Sequence, residues 1–292
     1  MIDQSILLAF CALMVYGLTQ VLSKYALRSL NATSMVAMNV VVSIPLYAIF
    51  LGFVIAFGDL RSYEIEFLIF GLIGASTARG GYYIYMEALE RGAVTMVGSV
   101  TASYPAITAV LAITILGEDL GPINAVGISI IIASMVGLSW SHGSSTHKSS
   151  FSRASLILSL ATLAVWGVGG VFIKAALTEL PLVVYLALYP FILPPIAFAY
   201  LRHKKAEKEV FFPKWTIPII CAVMVAELWQ LGYFAETAAV SRGAASIVFP
   251  LISAYPVVTI VAARFTLKEK LTTRDWALLA AVVIGILLTS VA

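Results

Sequence analysis

Residues 81–93 read GYYIYMEALERGA, and residues 232–244 read GYFAETAAVSRGA. Both stretches begin with Gly-Tyr and end with Arg-Gly-Ala, at a constant offset of 151 residues (232 − 81). Two apolar segments can resemble each other through composition alone. A register that is held through an arginine and a glycine turn instead indicates that one unit has been duplicated.

The duplication covers nearly the whole chain. We predict a first unit over residues 1–140, a connecting loop over 141–153 and a second unit over 154–292. The further matched pairs are Tyr104-Pro105 with Tyr255-Pro256, Thr108 with Thr259 and Glu118 with Glu269, and, at an offset of 150, Tyr16-Gly17 with Trp166-Gly167 and Lys24 with Lys174.

The composition excludes most soluble classes of protein. Hydrophobic types make up 61% of the 292 residues and charged types 11%, with a mean hydropathy of +0.99. Soluble domains average about 45–50% apolar and about 25% charged residues. A soluble enzyme and a disordered or fibrous chain are therefore excluded. The net charge of +3 is too small and too scattered to indicate a nucleic-acid partner.

Uncharged runs predict the membrane spans. A helix needs roughly 20 apolar residues to cross the hydrocarbon core. Eight runs qualify, and charge-interrupted segments at 66–89 and 215–238 bring the total to ten. The eight runs are 4–23, 29–58, 92–117, 120–141, 154–173, 180–201, 243–263 and 277–292. A transmembrane barrel would need alternating polarity over roughly ten residues, so the sequence predicts an all-α polytopic membrane protein.

The number of spans in each unit decides how the two units are related. Five is odd, so the second unit must enter the membrane in the opposite direction to the first. Inverted repeats of this kind are a transporter architecture, with the substrate site at the midplane where the repeats meet. The sequence therefore predicts ten transmembrane helices arranged as two inverted five-helix repeats.

Several of the repeated motifs also occur together in one known family. The chain resembles the EamA family of the drug/metabolite transporter superfamily, and this resemblance implies a ten-helix bundle that exports or exchanges small metabolites, often amino acids. The motifs are Tyr16-Gly17 with Lys24, Trp166-Gly167 with Lys174, the Arg-Gly-Ala turns, the mid-helix prolines and Gly117-Glu118, which recurs as Lys268-Glu269.

The chain departs from the small multidrug-resistance relatives of that family in one respect. Those relatives carry a membrane-embedded glutamate in the first helix, whereas residues 4–23 and 154–173 contain no carboxylate. Proton-coupled export of drug cations that depends on such a glutamate is therefore not expected here.

Two charges, Arg79 and Glu227, lie deep inside predicted spans. A charge at the bilayer centre costs about 2.5–3.5 kcal/mol on insertion scales, so it normally faces a cavity or a partner. The repeat places Arg79 opposite Gln230, one helical turn from Glu227. We predict that both charges face a central cavity, where Arg79 binds a substrate carboxylate or phosphate and Glu227 binds an amine or carries a proton. The alternative is a static ion pair that orients the two helices.

Aromatic side chains surround these two charges in the sequence. Aromatic faces with a few polar groups suit a small amphipathic ligand, and plain packing between helices is the alternative. The predicted substrate-binding residues, besides the two charges, are Tyr16, Tyr82, Tyr83, Trp166, Trp229, Gln230 and Tyr233.

Charged residues near span ends are candidate gates, and mid-span prolines are candidate hinges. We predict gating or guiding roles for Lys24, Lys174, Glu87 and Glu236, with snorkelling to the headgroups as the alternative. Pro105 and Pro256 are predicted hinges, because each removes one backbone hydrogen bond, and static curvature is the alternative.

The chemistry of an enzyme has little support in the sequence. His142, His147 and His203 fall in loops, and no zinc-protease motif, cysteine pair or phosphate-binding glycine loop occurs. We therefore expect a protein that is not an enzyme and that holds no cofactor or metal. A lipid-modifying membrane enzyme and a non-transporting receptor or scaffold are the alternatives from other classes.

These observations together predict a transporter that exports or exchanges a small polar metabolite by alternating access around a midplane cavity. An amino acid is the leading candidate for the substrate. A flippase for lipid-linked sugars or lipid headgroups is the alternative. The expected partners are a small-molecule substrate and the lipid bilayer, but no nucleic acid. A coupling ion or counter-substrate is left open.

The lysines and arginines predict the orientation of the chain in the cell membrane. Fourteen fall on the face opposite the termini and three on the termini face, so both termini are predicted to be extracytoplasmic. The fourteen are Lys24, Arg28, Arg91, Lys148, Arg153, Arg202, Lys204, Lys205, Lys208, Lys214, Arg264, Lys268, Lys270 and Arg274, and the three are Arg61, Lys174 and Arg242.

Overall fold

The computed structural model describes residues 3–58, 63–143, 152–204, 217–266 and 272–290. Every regular element within these ranges is an α-helix. In chain order, the helices are α1 (Gln4–Ala26), α2 (Ala32–Phe57), α3 (Ile65–Arg91), α4 (Val94–Thr101), α5 (Pro105–Ile115), α6 (Pro122–Gly143), α7 (Arg153–Glu179), α8 (Leu182–Ala187), α9 (Tyr189–His203), α10 (Ile217–Val240), α11 (Ala245–Ser253), α12 (Pro256–Thr266) and α13 (Thr273–Ser290).

These helices form ten spans, because three spans consist of two helices each. The broken spans are α4 with α5, α8 with α9, and α11 with α12. Seven segments of the described chain are long and apolar enough to cross a membrane by length and composition. The predicted all-α polytopic fold with two repeats is confirmed.

Proline begins the second half of two broken spans. Pro105 is the first residue of α5 and Pro256 is the first residue of α12. A proline lacks the N–H that would continue the hydrogen bonding of the preceding turn, but its fixed φ suits the first position of a helix. Both prolines therefore separate two short helices, where the sequence predicted a kink. Their action as hinges stays a prediction.

The two repeats exchange helix contacts with each other. The first helix of each repeat packs along the third span of the other, so that α1 lies against α10 and α7 lies against α3. The last spans, α6 and α13, pack together. Neither repeat therefore forms its core alone.

The contacts between the repeats are reciprocal at the level of single atoms. The Thr259 hydroxyl donates to the Gly17 carbonyl at 3.1 Å, and the Thr108 hydroxyl donates to the Gly167 carbonyl at 2.8 Å. These four residues form two repeat pairs, so one contact is made twice with the halves exchanged. Such a reciprocal contact is the mark of an approximate twofold axis. With five spans in each repeat, the axis lies in the membrane plane.

Close helix contact at both glycines allows a test of this packing. A Cβ atom on Gly17 would lie 2.5 Å from the Val258 Cβ, and one on Gly167 would lie 2.7 Å from the Ile107 Cβ. Gly17→Ala and Gly167→Ala should therefore each destabilise the protein by about 1–3 kcal/mol through overpacking.

Thermal unfolding of the purified protein in detergent measures this effect. Gly80→Ala is the matched control, because a Cβ on Gly80 meets nothing within 4 Å and alanine is the better helix former. Equal melting temperatures for the Gly17→Ala and Gly80→Ala variants would show that the contact between the repeats is not tight.

Candidate functional site

A pocket lies at the junction of the two repeats. Its walls come from the first and third spans of each repeat and from two of the broken spans, α4 with α5 and α11 with α12. Tyr104 and Tyr255 stand directly before the two helix-starting prolines. The lining residues are Tyr16, Gln20, Ala78, Arg79, Tyr104, Trp166, Gly169, Gly170, Ile173, Trp229, Tyr233, Glu236, Phe249, Ile252 and Tyr255.

Arg79 is the cation of this pocket and is only 1% exposed. Its Nη2 donates to the Gln230 Oε1 at 2.6 Å and to the Tyr47 hydroxyl at 2.7 Å. Gln230 is the repeat counterpart of Arg79, so this hydrogen bond crosses the approximate twofold axis. The guanidinium therefore lies near the centre of the bundle. Gln230, which the sequence predicted as a substrate-binding residue, is fully buried behind the pocket and does not line it.

The hydrogen-bonding capacity of Arg79 is not filled by the described protein. Nη1 lies 3.5 Å from the Asn39 Oδ1, while the Arg79 Nε and the Asn39 Nδ2 are buried without a hydrogen-bond partner. No described carboxylate lies within ion-pair distance of the guanidinium. Buried charges in proteins are normally paired. The site therefore has donors to spare for a group that brings negative charge.

Tyrosine rings surround the guanidinium of Arg79. Its Cζ lies 5.5 Å from the ring centroid of Tyr47, 4.9 Å from that of Tyr189 and 5.3 Å from that of Tyr233. Distances below about 6 Å allow cation–π attraction. These rings hold the cation in place without neutralising it.

Glu236 is the carboxylate of the pocket. It is 8% exposed, and its Oε2 accepts a hydrogen bond from the Tyr16 hydroxyl at 2.6 Å. Tyr16 belongs to α1 and Glu236 to α10, so this contact also joins the two repeats. None of the ion pairs among the described residues includes Glu236. The sequence had placed Glu236 near a span end as a gating candidate.

The prediction that Glu227 faces a central cavity with Arg79 is not met by the structure. Glu227 is exposed on the outer side of α10 and does not line the pocket. The two residues that separate it from Trp229, which does line the pocket, correspond to about 200° of rotation around the helix. Glu227 therefore points away from the side of α10 that carries Trp229, Tyr233 and Glu236.

Two tryptophans form the aromatic wall of the pocket. The ring centroids of Trp166 and Trp229 are 6.1 Å apart, and the Tyr16 ring lies 5.1 Å from that of Trp229. The Trp166 Nε1 donates to the Ala78 carbonyl at 3.2 Å. This bond fixes the indole of one repeat against the third span of the other.

Two predicted tyrosines lie behind this wall. Tyr82 is fully buried with its ring 4.5 Å from that of Trp229, and the Tyr83 ring lies 5.3 Å from that of Tyr200. Neither residue lines the pocket. Tyr82 packs against Trp229 from outside the pocket, whereas Tyr83 packs against Tyr200 of α9.

Lys24 and Lys174 make the same contact in the two repeats. The Lys24 Nζ donates to the Leu89 carbonyl at 2.9 Å and to the Gly92 carbonyl at 2.7 Å. The equivalent Lys174 Nζ donates to the Val240 and Gly243 carbonyls at 3.1 and 2.8 Å. Both ammonium groups thus bind the carbonyl ends of α3 and α10, where a positive charge is favourable.

Replacing either lysine should act on stability. Lys24→Met and Lys174→Met each remove two charged hydrogen bonds and should lower the free energy of unfolding by about 1–3 kcal/mol. The melting temperature and the rate of transport in liposomes, measured together, separate this role from gating. A large change in transport at an unchanged melting temperature would instead support gates.

The remaining gating candidate, Glu87, lies in a group of charges at the end of α3. Its carboxylate is 2.5 Å from the Lys204 Nζ and 3.0 Å from the Arg91 Nη1. This group joins α3 to α9 and does not line the pocket.

Several residues at the pocket were not predicted from the sequence. Gln20, Tyr104 and Tyr255 line the pocket, and Tyr47 holds Arg79. The paired Tyr-Pro motifs carried the signal for Tyr104 and Tyr255, because an aromatic residue directly before a mid-span proline stands at the break of a helix.

Glu118 has a role that the repeat pattern did not reveal. Its two carboxylate oxygens accept hydrogen bonds of 2.8 Å from the backbone N–H groups of Ala245 and Ser246 at the start of α11. A carboxylate is favourable at the amino end of a helix. The bonds tie the first repeat to a broken span of the second.

Some predicted features lie outside the described residues. They are most of the connecting loop 141–153, with His147, and the residues Arg61, Lys148, Lys205, Lys208, Lys214, Lys268, Glu269 and Lys270.

Two reciprocal five-span repeats with a polar pocket at their junction form an architecture that occurs in membrane transporters. The chain belongs to the EamA-like transporter family, because the model of that family matches residues 4–140 and again residues 153–291. This family is part of the drug/metabolite transporter superfamily, and the chain is a multi-pass membrane transporter.

Solved structures share this fold. One of the 29 matching chains, described as a crystal structure of a protein, is 18% identical in sequence, with a TM-score of 0.73 over 98% of this chain and 96% of that one. A comparison with curated proteins returned no match.

Proposed function

We propose that this transporter exports or exchanges a small zwitterionic metabolite, with an amino acid as the leading candidate. One observation carries the proposal. The pocket contains a buried guanidinium, Arg79, and a buried carboxylate, Glu236, and neither has an ion-pair partner among the described residues.

A zwitterion supplies what both groups lack. Its carboxylate suits the planar donors of Arg79, which match a carboxylate better than the point charge of a lysine would. Its ammonium group suits Glu236 and the aromatic faces of Tyr16 and Trp229, since cations are attracted to such rings. Trp166, Phe249 and Ile252 then offer apolar surface to the side chain of the substrate.

Alternating access fits the symmetry of the bundle. The hydroxyls of Thr259 and Thr108 make equivalent contacts in the two directions between the repeats. Exchanging the conformations of the two halves would therefore give inward-open and outward-open states of similar energy. The breaks before Pro105 and Pro256 border the pocket and offer positions where the spans can bend. We propose that rocking of one repeat against the other moves the substrate across the membrane.

We further propose that the protein lies in the cell membrane with both termini outside the cytoplasm, as the distribution of lysine and arginine favours. A reporter fused after Ala292 tests this orientation. Reporter activity in the cytoplasm would overturn it.

The substrate class is tested by ligand-induced thermal stabilisation of the purified protein. A ligand that binds only the folded state raises the melting temperature. The screen covers amino acids, nucleosides and sugar phosphates, and the best amino acid is then compared with its decarboxylated and deaminated analogues. The proposal expects the amino acid to stabilise more than either analogue. A response confined to nucleosides or sugar phosphates would overturn it.

A further inference from the structure

One side of the pocket differs in polarity from its counterpart in the other repeat. The pocket-lining residues of α7 and α11, apart from Trp166, have no polar side chain, and we call them the α7–α11 patch: Gly169, Gly170, Ile173, Phe249 and Ile252. The repeat offsets of 150 and 151 pair them, in this order, with Thr19, Gln20, Ser23, Gly98 and Thr101. Most of these counterparts are polar, so the two repeats differ in chemistry at matched positions.

The polar counterparts form hydrogen bonds within the protein. The Thr101 hydroxyl donates to the Val97 carbonyl at 2.8 Å and lies 3.1 Å from the Tyr255 hydroxyl. The Gln20 Oε1 accepts a hydrogen bond of 3.4 Å from the Thr259 hydroxyl. Of the counterparts, Gln20 alone lines the pocket. Polar contacts between the two repeats therefore occupy this side of the bundle.

A glycine and a large side chain have exchanged places between the two sides. A Cβ atom on Gly98 would lie 2.6 Å from the Gln20 Oε1, and a Cβ atom on Gly170 would lie 3.1 Å from the Phe249 Cε2. Gly170 is the repeat counterpart of Gln20, and Phe249 is the counterpart of Gly98. An amide thus covers a glycine on one side, and an aromatic ring covers a glycine on the other.

The hydroxyls beside the glycines of the patch are already bonded. The Thr108 hydroxyl donates to the Gly167 carbonyl, and the Thr77 hydroxyl donates to the Gly74 carbonyl, each at 2.8 Å. Neither threonine lines the pocket. A polar atom pressed against the patch would therefore lose its hydrogen bonds to water without replacing them. An apolar group gains free energy from the same burial.

We propose that the α7–α11 patch receives the side chain of the substrate and selects amino acids whose side chain is apolar. The assignment rests on the proposed function, in which Arg79 binds the carboxylate and Glu236 binds the ammonium group. With both charged groups held there, the side chain is the part of the amino acid left to meet the patch, which lines the same pocket.

Isothermal titration calorimetry on the purified protein compares amino acids of matched shape. Leucine and asparagine have the same number and branching of heavy atoms, as do phenylalanine and 4-pyridylalanine. Leucine should bind about 5- to 150-fold more tightly than asparagine, because burial leaves the amide without hydrogen bonds. Phenylalanine should bind more tightly than 4-pyridylalanine.

The outcomes of this titration separate the assignment of the patch from the proposed function. Equal or tighter binding of the polar member in both pairs would overturn the assignment, while the binding of zwitterions would still support the proposed function. Binding of no amino acid would overturn both.

Ile252→Thr and Ile252→Val are matched variants at the patch. Valine and threonine have the same shape and differ only in a hydroxyl group, and threonine already stands at the equivalent position, Thr101. Ile252→Thr should reduce the preference for leucine over asparagine by about 2- to 12-fold relative to Ile252→Val, the range of one hydrogen bond. Melting temperatures verify that both variants are folded. The same preference in both folded variants would contradict the assignment of the patch.

Discussion

Replacing Arg79 by alanine is expected to abolish transport of amino acids, with a loss of about 100-fold or more in kcat/KM, while the protein remains folded. Removing one member of a buried charge pair costs about 2–5 kcal/mol, and the loss here falls on the substrate carboxylate. Uptake of the labelled amino acid into liposomes measures the effect, and the melting temperature of the same sample verifies the fold.

Two further variants separate charge from packing at this position. Arg79→Lys keeps the positive charge but loses the planar donors, so partial transport is expected. Tyr47→Phe removes one hydrogen bond to Arg79 without changing any charge, and it should have a much smaller effect than Arg79→Ala. Unchanged uptake by a folded Arg79→Ala protein would mean that the guanidinium is structural only.

Replacing Glu236 by glutamine is expected to have the second largest effect. Glutamine still accepts the hydrogen bond from the Tyr16 hydroxyl, so the contact between the repeats survives, but the negative charge is lost. Affinity for the amino acid should fall by about 10- to 100-fold, because a charged hydrogen bond is worth about 1.5–3 kcal/mol. Affinity for its deaminated analogue, which has no ammonium group, should change little.

Glu227→Gln is the matched control for this experiment. It neutralises the other carboxylate of the same helix, on the side that faces away from the pocket. Its KM for the amino acid should equal that of the wild type. If Glu227→Gln weakened binding as much as Glu236→Gln did, the effect would not belong to the pocket.

The fold could be predicted from the sequence because the repeated motifs contain residue types, such as arginine, glycine and proline, that an apolar composition alone does not account for. The Arg-Gly-Ala and Tyr-Pro motifs held one register across both halves, and span counting then required inversion. The close approaches at Gly17 and Gly167 follow from the same symmetry. Reading each pair as equivalent was enough to bring Arg79 and Gln230 together.

The carboxylate of the pocket could not be predicted in the same way. Depth along a span was judged from the distance to neighbouring charges, and this measure ignores which side of the helix a residue occupies. Glu227 is deep but points outward, whereas Glu236 is nearer the end of α10 and faces the pocket. The helix period alone places Glu236 on the same side of α10 as Trp229 and Tyr233. It would have favoured Glu236 over Glu227 as the carboxylate of the pocket.

The roles of the two lysines could not be read from the chain for a different reason. Lys24 bonds to carbonyls 65 and 68 residues away, and Lys174 to carbonyls 66 and 69 residues away. Every residue has a backbone carbonyl, so the sequence does not indicate which carbonyls a lysine binds. The conserved spacing between the repeats showed that the lysines were equivalent without showing what they bind.

The central claim is that one pocket opens in turn to the two sides of the membrane, and thiol accessibility tests it most directly. Ala78 lines the pocket, so Ala78→Cys in a Cys11→Ser/Cys221→Ser background reports on that position. Right-side-out and inside-out vesicles are treated with a membrane-impermeant thiol reagent, with and without the transported amino acid. The account predicts labelling from both sides and protection by the amino acid in each case. Labelling from one side only, or labelling that the substrate does not slow, would contradict it.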